Sequence, residues 1–230
     1  MTDQWIIHAV ISGIMQTPCD QNIILKREME QTMTKLSEQY LTFDNSAGLI
    51  DENLYNMIID CFDKKYKDIC DFFNYGELLK TSIVPVPEYK GVAATYTETG
   101  KVIMGTKYYE QHKLDADSLI HEWIHVAQRY PQFEPGWLTE GLADYGREKF
   151  GVYNKEAGWA LPKYNPKHHY THAYRVTASF LIWLEDNVDK DINWKLNDLL
   201  KKGAYTDNCW VEFTGKTVDE LWDDYAKANS

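Results

Sequence analysis

The chain reads as an α+β protein, with a small mixed sheet in an N-terminal lobe and a mostly helical C-terminal lobe. Two observations predict this. Short apolar runs bounded by turn residues, at Ile83–Val86 and Lys101–Gly105, have the length and β-branched content of strands. Apolar residues at helical spacing fill Leu25–Leu41, Leu54–Phe73 and most of the chain from about Thr171 onward.

Taken in order, Trp5–Ile14 is expected to be a buried strand. The apolar stretch Trp5–Met15 has about the length of a signal-peptide core, but it carries Asp3 where a positive segment belongs and is interrupted by His8. Leu25–Leu41 and Leu54–Phe73 are expected as amphipathic helices, with the charged run Asp63–Asp68 on a solvated face. Glu98-Thr99-Gly100 reads as the turn before the Lys101–Gly105 strand. That strand is expected at a sheet edge beside a cleft, where it would hold an extended peptide by main-chain pairing, or else as an ordinary sheet strand. Asp117 is placed to cap the next helix, Leu119, Ile120, Trp123, Ile124 and Val126 supply its buried face, and Pro131 ends the run. Pro135-Gly136 is a turn, and Trp137–Phe150 contains no internal proline and reads as a helix. Trp183, Trp194, Trp210 and Trp222 are expected in the core.

The chemistry concentrates in two of these helices. His121 and His125 are four apart, so they lie one turn above the other on one helix face. That spacing lets both imidazoles reach one metal ion at roughly 2.0–2.1 Å. Glu122 flanks the pair without ligating, placed to take a proton from a water on the metal. Glu140 would be the third ligand, leaving a fourth position open as in a catalytic zinc site. Asp144, four residues on, shares its face and can accept a hydrogen bond from a ligand histidine. The cofactor expected is one Zn2+ per chain, with another divalent ion left open. Tyr174 has a neutral O–H and is the candidate donor to the oxyanion of the tetrahedral intermediate; His168, His169, Tyr170 and His172 crowd the same segment as alternatives.

The chain resembles the plant basic secretory protein family, the peptidases of plants and bacteria, among the gluzincin-like zinc metallopeptidases. The resemblance is carried by Gly91-Val92-Ala93 leading to Lys101–Tyr108, by His121–Gln128, Pro135–Tyr145, Tyr174–Leu181 and Gly215–Tyr225, which together cover most of residues 85–226. The Trp-Leu-x-Glu-Gly-x-Ala segment around Glu140 is also similar to the third-ligand helix of zinc aminopeptidases. The resemblance implies a zincin-like fold in a single catalytic domain, its N-terminal lobe ending at about residue 130 and its helical lobe following from about 131. It implies His121, His125 and Glu140 as ligands, Glu122 as base, Asp144 as their supporting carboxylate, and a secreted or periplasmic protein. Trp137 stands where plant members commonly have a small residue, and the chain is acidic although the family is named basic.

Composition fits a globular enzyme. With 230 residues, 44% hydrophobic, the chain can bury a substantial core. Its 35 acidic against 24 basic residues, a formal net charge of −11, argue against nucleic acid or an anionic membrane surface as partners. No apolar run reaches the roughly 20 residues needed to span a bilayer. Cys19, Cys61, Cys70 and Cys209 lack metal-type spacing and are read equally as free thiols or as one or two disulfides. The function expected is hydrolysis of a peptide or protein substrate, as an endopeptidase. The alternatives are a catalytically silent zinc-containing binding or defence protein, and an aminopeptidase. The last would need an acidic anchor for the substrate amine, and the segment before His121 has no Gly-rich exopeptidase loop.

Overall fold

Helix α1 (Leu36–Tyr40) runs directly into strand β1 (Leu41–Phe43), so the expected helix stops one residue short of Leu41. The computed structural model describes residues 35–230; the strand expected at Trp5–Ile14, the start of the Leu25–Leu41 helix and Cys19 lie outside the described residues. Helix α2 (Glu52–Phe73) follows, its N-terminus capped by the Asp51 carboxylate, which accepts from the Asn53 and Leu54 amides. Leu54, Ile58, Cys61, Phe62, Ile69 and Phe73 recur at helical spacing and are fully buried. The opposite face carries the ion pairs Lys64–Asp60 and Lys67–Asp71, each one turn apart, so the charged run is a solvated face.

Strands β2 (Thr81–Val86), β3 (Ala93–Tyr96) and β4 (Lys101–Gly105) complete a four-stranded sheet of order β1-β2-β4-β3. β1 and β2 pair in parallel, as do β2 and β4, while β3 pairs antiparallel to β4 through the 97–100 turn. Gly100 closes that turn with φ +69, and a Cβ there would sit 2.5 Å from the Lys80 carbonyl oxygen. The edge expected at Lys101–Gly105 is corrected: β4 lies inside the sheet, and β3, which the sequence did not suggest as a strand, forms one of its edges among the described residues. Ala93 and Ala94 have weak strand preference, and it is pairing with β4 that extends this segment.

After the short helix α3 (Thr106–Gln111), helix α4 (Ser118–Gln128) runs through the middle of the protein, packed against α2, β3 and β4. Leu119, Ile120, Trp123, Ile124, Val126 and Ala127 are fully buried, and Trp123 meets Phe62 edge-on at 4.9 Å between centroids. Asp117 does not cap this helix. Its own backbone is already helical (φ −71, ψ −10), and its carboxylate instead accepts from the Val152 and Tyr153 amides and the Cys61 thiol. The C-terminal carbonyls of Ala127 and Gln128 accept from the Lys201 ammonium at 2.7 and 2.9 Å, which satisfies groups that a helix end leaves open.

Helix α5 (Gly136–Phe150) packs on α4 and on α6 (Tyr174–Asn187), which a 3₁₀ turn at Tyr170–His172 introduces. Helices α7 (Ile192–Lys201), α8 (Asn208–Thr214) and α9 (Val218–Asn229) complete an α+β architecture with nine α-helices among the described residues. No helix among these residues is long and apolar enough to cross a membrane. Trp210 and Trp222 are buried, Trp183 is half-buried, and Trp194 is exposed rather than in the core. Cys61, Cys70 and Cys209 are buried free thiols.

The α5–α6 contact depends on Gly141, where an added Cβ would lie 2.2 Å from Thr177 Cγ2 and 2.6 Å from its Cβ. On an open helix face Gly→Ala would stabilise by about 1 kcal/mol. Here the branched Thr177 side chain cannot yield without moving α6, so Gly141→Ala should destabilise by about 1–3 kcal/mol. Urea unfolding measures this, and an unchanged midpoint would show that the two helices separate freely.

Candidate metal centre

Helix α4 turns His121 and His125 toward a cleft of about 1140 Å³, the part of its surface that the core leaves uncovered. Helix α5 approaches from across the cleft and brings Glu140 to the same point. His121 Nε2 lies 3.1 Å from Glu140 Oε2 and 3.1 Å from His125 Nε2, and His125 Nε2 is 3.4 Å from Glu140 Oε2. These three donors could hold a metal ion.

The ring orientations suit that use. His121 Nδ1–H donates to Asp144 Oδ1 at 2.7 Å, and His125 Nδ1–H donates to Gln128 Oε1 at 2.8 Å, which turns both Nε2 atoms inward. Gln128 is fixed in turn, because its amide donates to the Thr139 carbonyl on α5 at 3.2 Å. Sequence reasoning missed Gln128, although its place one turn beyond His125 was a usable signal.

Glu122 points from α4 toward the edge strand. The Thr95 hydroxyl donates to its Oε2 at 2.7 Å, across 27 residues of sequence, and lies 3.1 Å from its main-chain oxygen. The carboxylate is largely buried. No local spacing in the sequence pointed to Thr95.

Burial opposes a charge on His121, but the hydrogen bonds to Asp144 and Glu140 and the surrounding carboxylates outweigh it and raise its pKa to about 10. Burial alone would raise Glu140; its hydrogen bonds to His121 and His125 instead hold it well below the usual carboxylate range. At neutral pH chelator-treated protein therefore holds a proton on His121 that an incoming cation must displace. Metal affinity should climb as pH rises toward about 10, up to tenfold per unit, with proton release visible by calorimetry in buffers of different ionisation enthalpy. Affinity that stays flat between pH 7 and 9 would contradict a protonated His121.

Tyr174 opens α6 with its ring stacked toward His121, at 6.1 Å between centroids and 19° between planes. It is exposed to the cleft. Burial and the charges of Glu140, Asp144 and Glu122 raise its hydroxyl pKa, so it stays protonated at neutral pH. Ala173 (φ 61, ψ −175) and Tyr174 (φ 51) both have left-handed φ, and Ala173 occupies a region populated almost only by glycine. Such strain costs about 1–3 kcal/mol per residue and occurs most often where a side chain must be aimed. His168, His169, Tyr170 and His172 do not line the cleft. Tyr170 donates to Asp219, and His169 packs on Tyr170 and Trp222.

A family model described as "Peptidase of plants and bacteria" matches residues 62–225. A search of curated proteins gave no match, and a search of solved structures gave none. The matched span begins within α2 and ends within α9, so it contains β2, β3, β4, both helices of the donor cluster and Tyr174. It covers well over half of the sequence, and the chain belongs to the family of peptidases of plants and bacteria.

Proposed function

We propose that the protein is a zinc-dependent metallopeptidase, with one zinc ion per chain, that hydrolyses internal bonds of peptide or protein substrates. The observation that carries this reading is the convergence of His121, His125 and Glu140 with a non-ligating carboxylate, Glu122, held beside them by Thr95. Zinc suits the donors. Tetrahedral bonds of about 2.0–2.1 Å set donors about 3.3–3.4 Å apart, close to the spacing of these three atoms, and two imidazoles with one carboxylate form a catalytic zinc ligand set. The sheet, the buried helix α4 and the helical remainder then form a zincin-like catalytic domain, divided by the cleft into an N-terminal lobe to about residue 130 and a helical lobe from about 131.

Bound zinc would supply Lewis acidity, polarising the scissile carbonyl and lowering the pKa of water to about 7. The chain's own groups do the rest. Glu122 uses the carboxylate oxygen that Thr95 does not hold, takes the proton of the attacking water and passes it to the leaving amine. Tyr174 donates its O–H to the oxyanion that forms. Asp144 and Gln128 hold the two imidazoles in one tautomer and orientation. β3, an edge strand of the sheet among the described residues, pairs with an extended peptide, and residues 92–95 lie along the cleft. The aminopeptidase alternative lacks an amine anchor at Asp115, because Arg147 and Tyr108 already engage that carboxylate.

Zinc-loaded protein should cleave members of a diverse peptide library, and Glu122→Ala should not. A library left intact by both, with zinc bound to both, would overturn the peptidase assignment. Tyr174→Phe should lower kcat by about 10- to 100-fold with little change in KM, since the bond it removes forms only in the transition state. Unchanged kinetics would leave Tyr174 a packing residue.

A further inference from the structure

Two arginines bracket the cleft at opposite ends of β3. Arg129 is tied down: its Nε and Nη2 donate to the Thr97 and Glu98 carbonyls, just past the Tyr96 end of the strand. Arg175, the residue after Tyr174, lines the other end and is exposed. Tyr108 fixes that location. It follows β4, whose last residue Gly105 donates to the Val92 carbonyl where β3 begins. The Tyr108 hydroxyl donates to Asp115, Asp115 binds Arg147 and the Trp159 ring covers Arg147, so the adjacent Ala160 carbonyl, which accepts from Arg175 Nη1, brings Arg175 to this end.

The other charges here are already matched. Arg147 is buried, bonded to Asp115 and Asn154, and covered by the Trp159 ring at 4.4 Å. Asp115 also accepts the Tyr108 hydroxyl at 2.7 Å. Arg175 forms no ion pair among the described residues, and the one hydrogen bond of its guanidinium there is long, Nη1 to the Ala160 carbonyl at 3.4 Å. In a chain of net charge −11, a guanidinium in a cleft with donors left open by the described residues is suited to an anionic ligand.

We propose that Arg175 is a specificity determinant that binds a carboxylate of the peptide substrate, beside Trp159 in the cleft wall. The proposal rests on the peptidase reading above. A peptide paired antiparallel to β3 runs from the Tyr96 end toward the Ala93 end, so this carboxylate lies on the C-terminal side of the scissile bond. It has two possible sources, an Asp or Glu side chain beyond that bond or the free C-terminus of the peptide. A guanidinium matches either in a bidentate, charge-assisted contact.

The test compares kcat/KM for matched peptides with Glu or Gln at each position after the cleaved bond, each with a free and an amidated C-terminus. Wild type should favour the carboxylate by about tenfold or more. The preference should fall toward unity in Arg175→Gln, persist in part in Arg175→Lys, and turn toward Lys-bearing peptides in Arg175→Glu. A preference that follows Glu in amidated peptides assigns the side chain; one that follows the free terminus regardless of Glu assigns the chain end. No preference in wild type, or the same preference in Arg175→Gln, overturns the proposal and leaves the peptidase reading intact. If no peptide is cleaved, the peptidase reading fails, and the subsite is read by fluorescence anisotropy with labelled Glu and Gln peptides on Glu122→Gln protein. A Kd ratio that Arg175→Gln abolishes upholds it, and equal Kd values overturn it.

Discussion

Alanine at His121 or at His125 should leave the protein without stoichiometric zinc and without measurable hydrolysis. Each substitution removes one of three donors that converge within 4.8 Å of one another, and the remaining two cannot enclose an ion. The loss should far exceed that of Asp144→Asn, which keeps all three donors and an oxygen that can accept from His121 Nδ1 and removes only the negative charge behind it. Outer-sphere changes of that kind cost about 10–100-fold in metal affinity. Metal content after dialysis separates the cases. Stoichiometric zinc in both histidine variants would sink the metal assignment. Both histidines lie on the cleft face of α4 while its core face is untouched, so the variants should still fold cooperatively.

Glu122→Ala should retain zinc and lose at least about a hundredfold in kcat/KM. Among the described residues the carboxylate makes no hydrogen bond to the three donors; its partner is the Thr95 hydroxyl. Its removal therefore leaves the ligands in place and takes away the group that moves the proton. Glu122→Gln is the sharper variant, since its side-chain oxygen can still accept from Thr95 while no longer binding a proton at neutral pH. Equal activity in either variant, with metal content unchanged, would remove Glu122 as the base.

The helices were legible in the sequence because their signals are local. His121 and His125, like Glu140 and Asp144, are four apart, and each pair needs only a helix to share a face. The strand β4 and its turn were equally readable from Lys101–Gly105 and Gly100. What escaped notice depends on partners far along the chain. Ala93–Tyr96 becomes a strand, and a sheet edge, only through pairing with β4. Asp117 has the residue type of a cap, yet its carboxylate turns to backbone amides more than 30 residues away. Thr95 meets Glu122 only once the sheet and α4 have packed.

The Thr95–Glu122 bond joins two parts of the work that kinetics normally separates. The strand proposed to hold the substrate backbone also sets where the proposed base sits. Any substitution that shifts β3, even one directed only at peptide selectivity, also displaces Glu122. Engineering of this edge should therefore change KM and kcat together, and variants that alter affinity alone should come from the opposite, helical wall of the cleft.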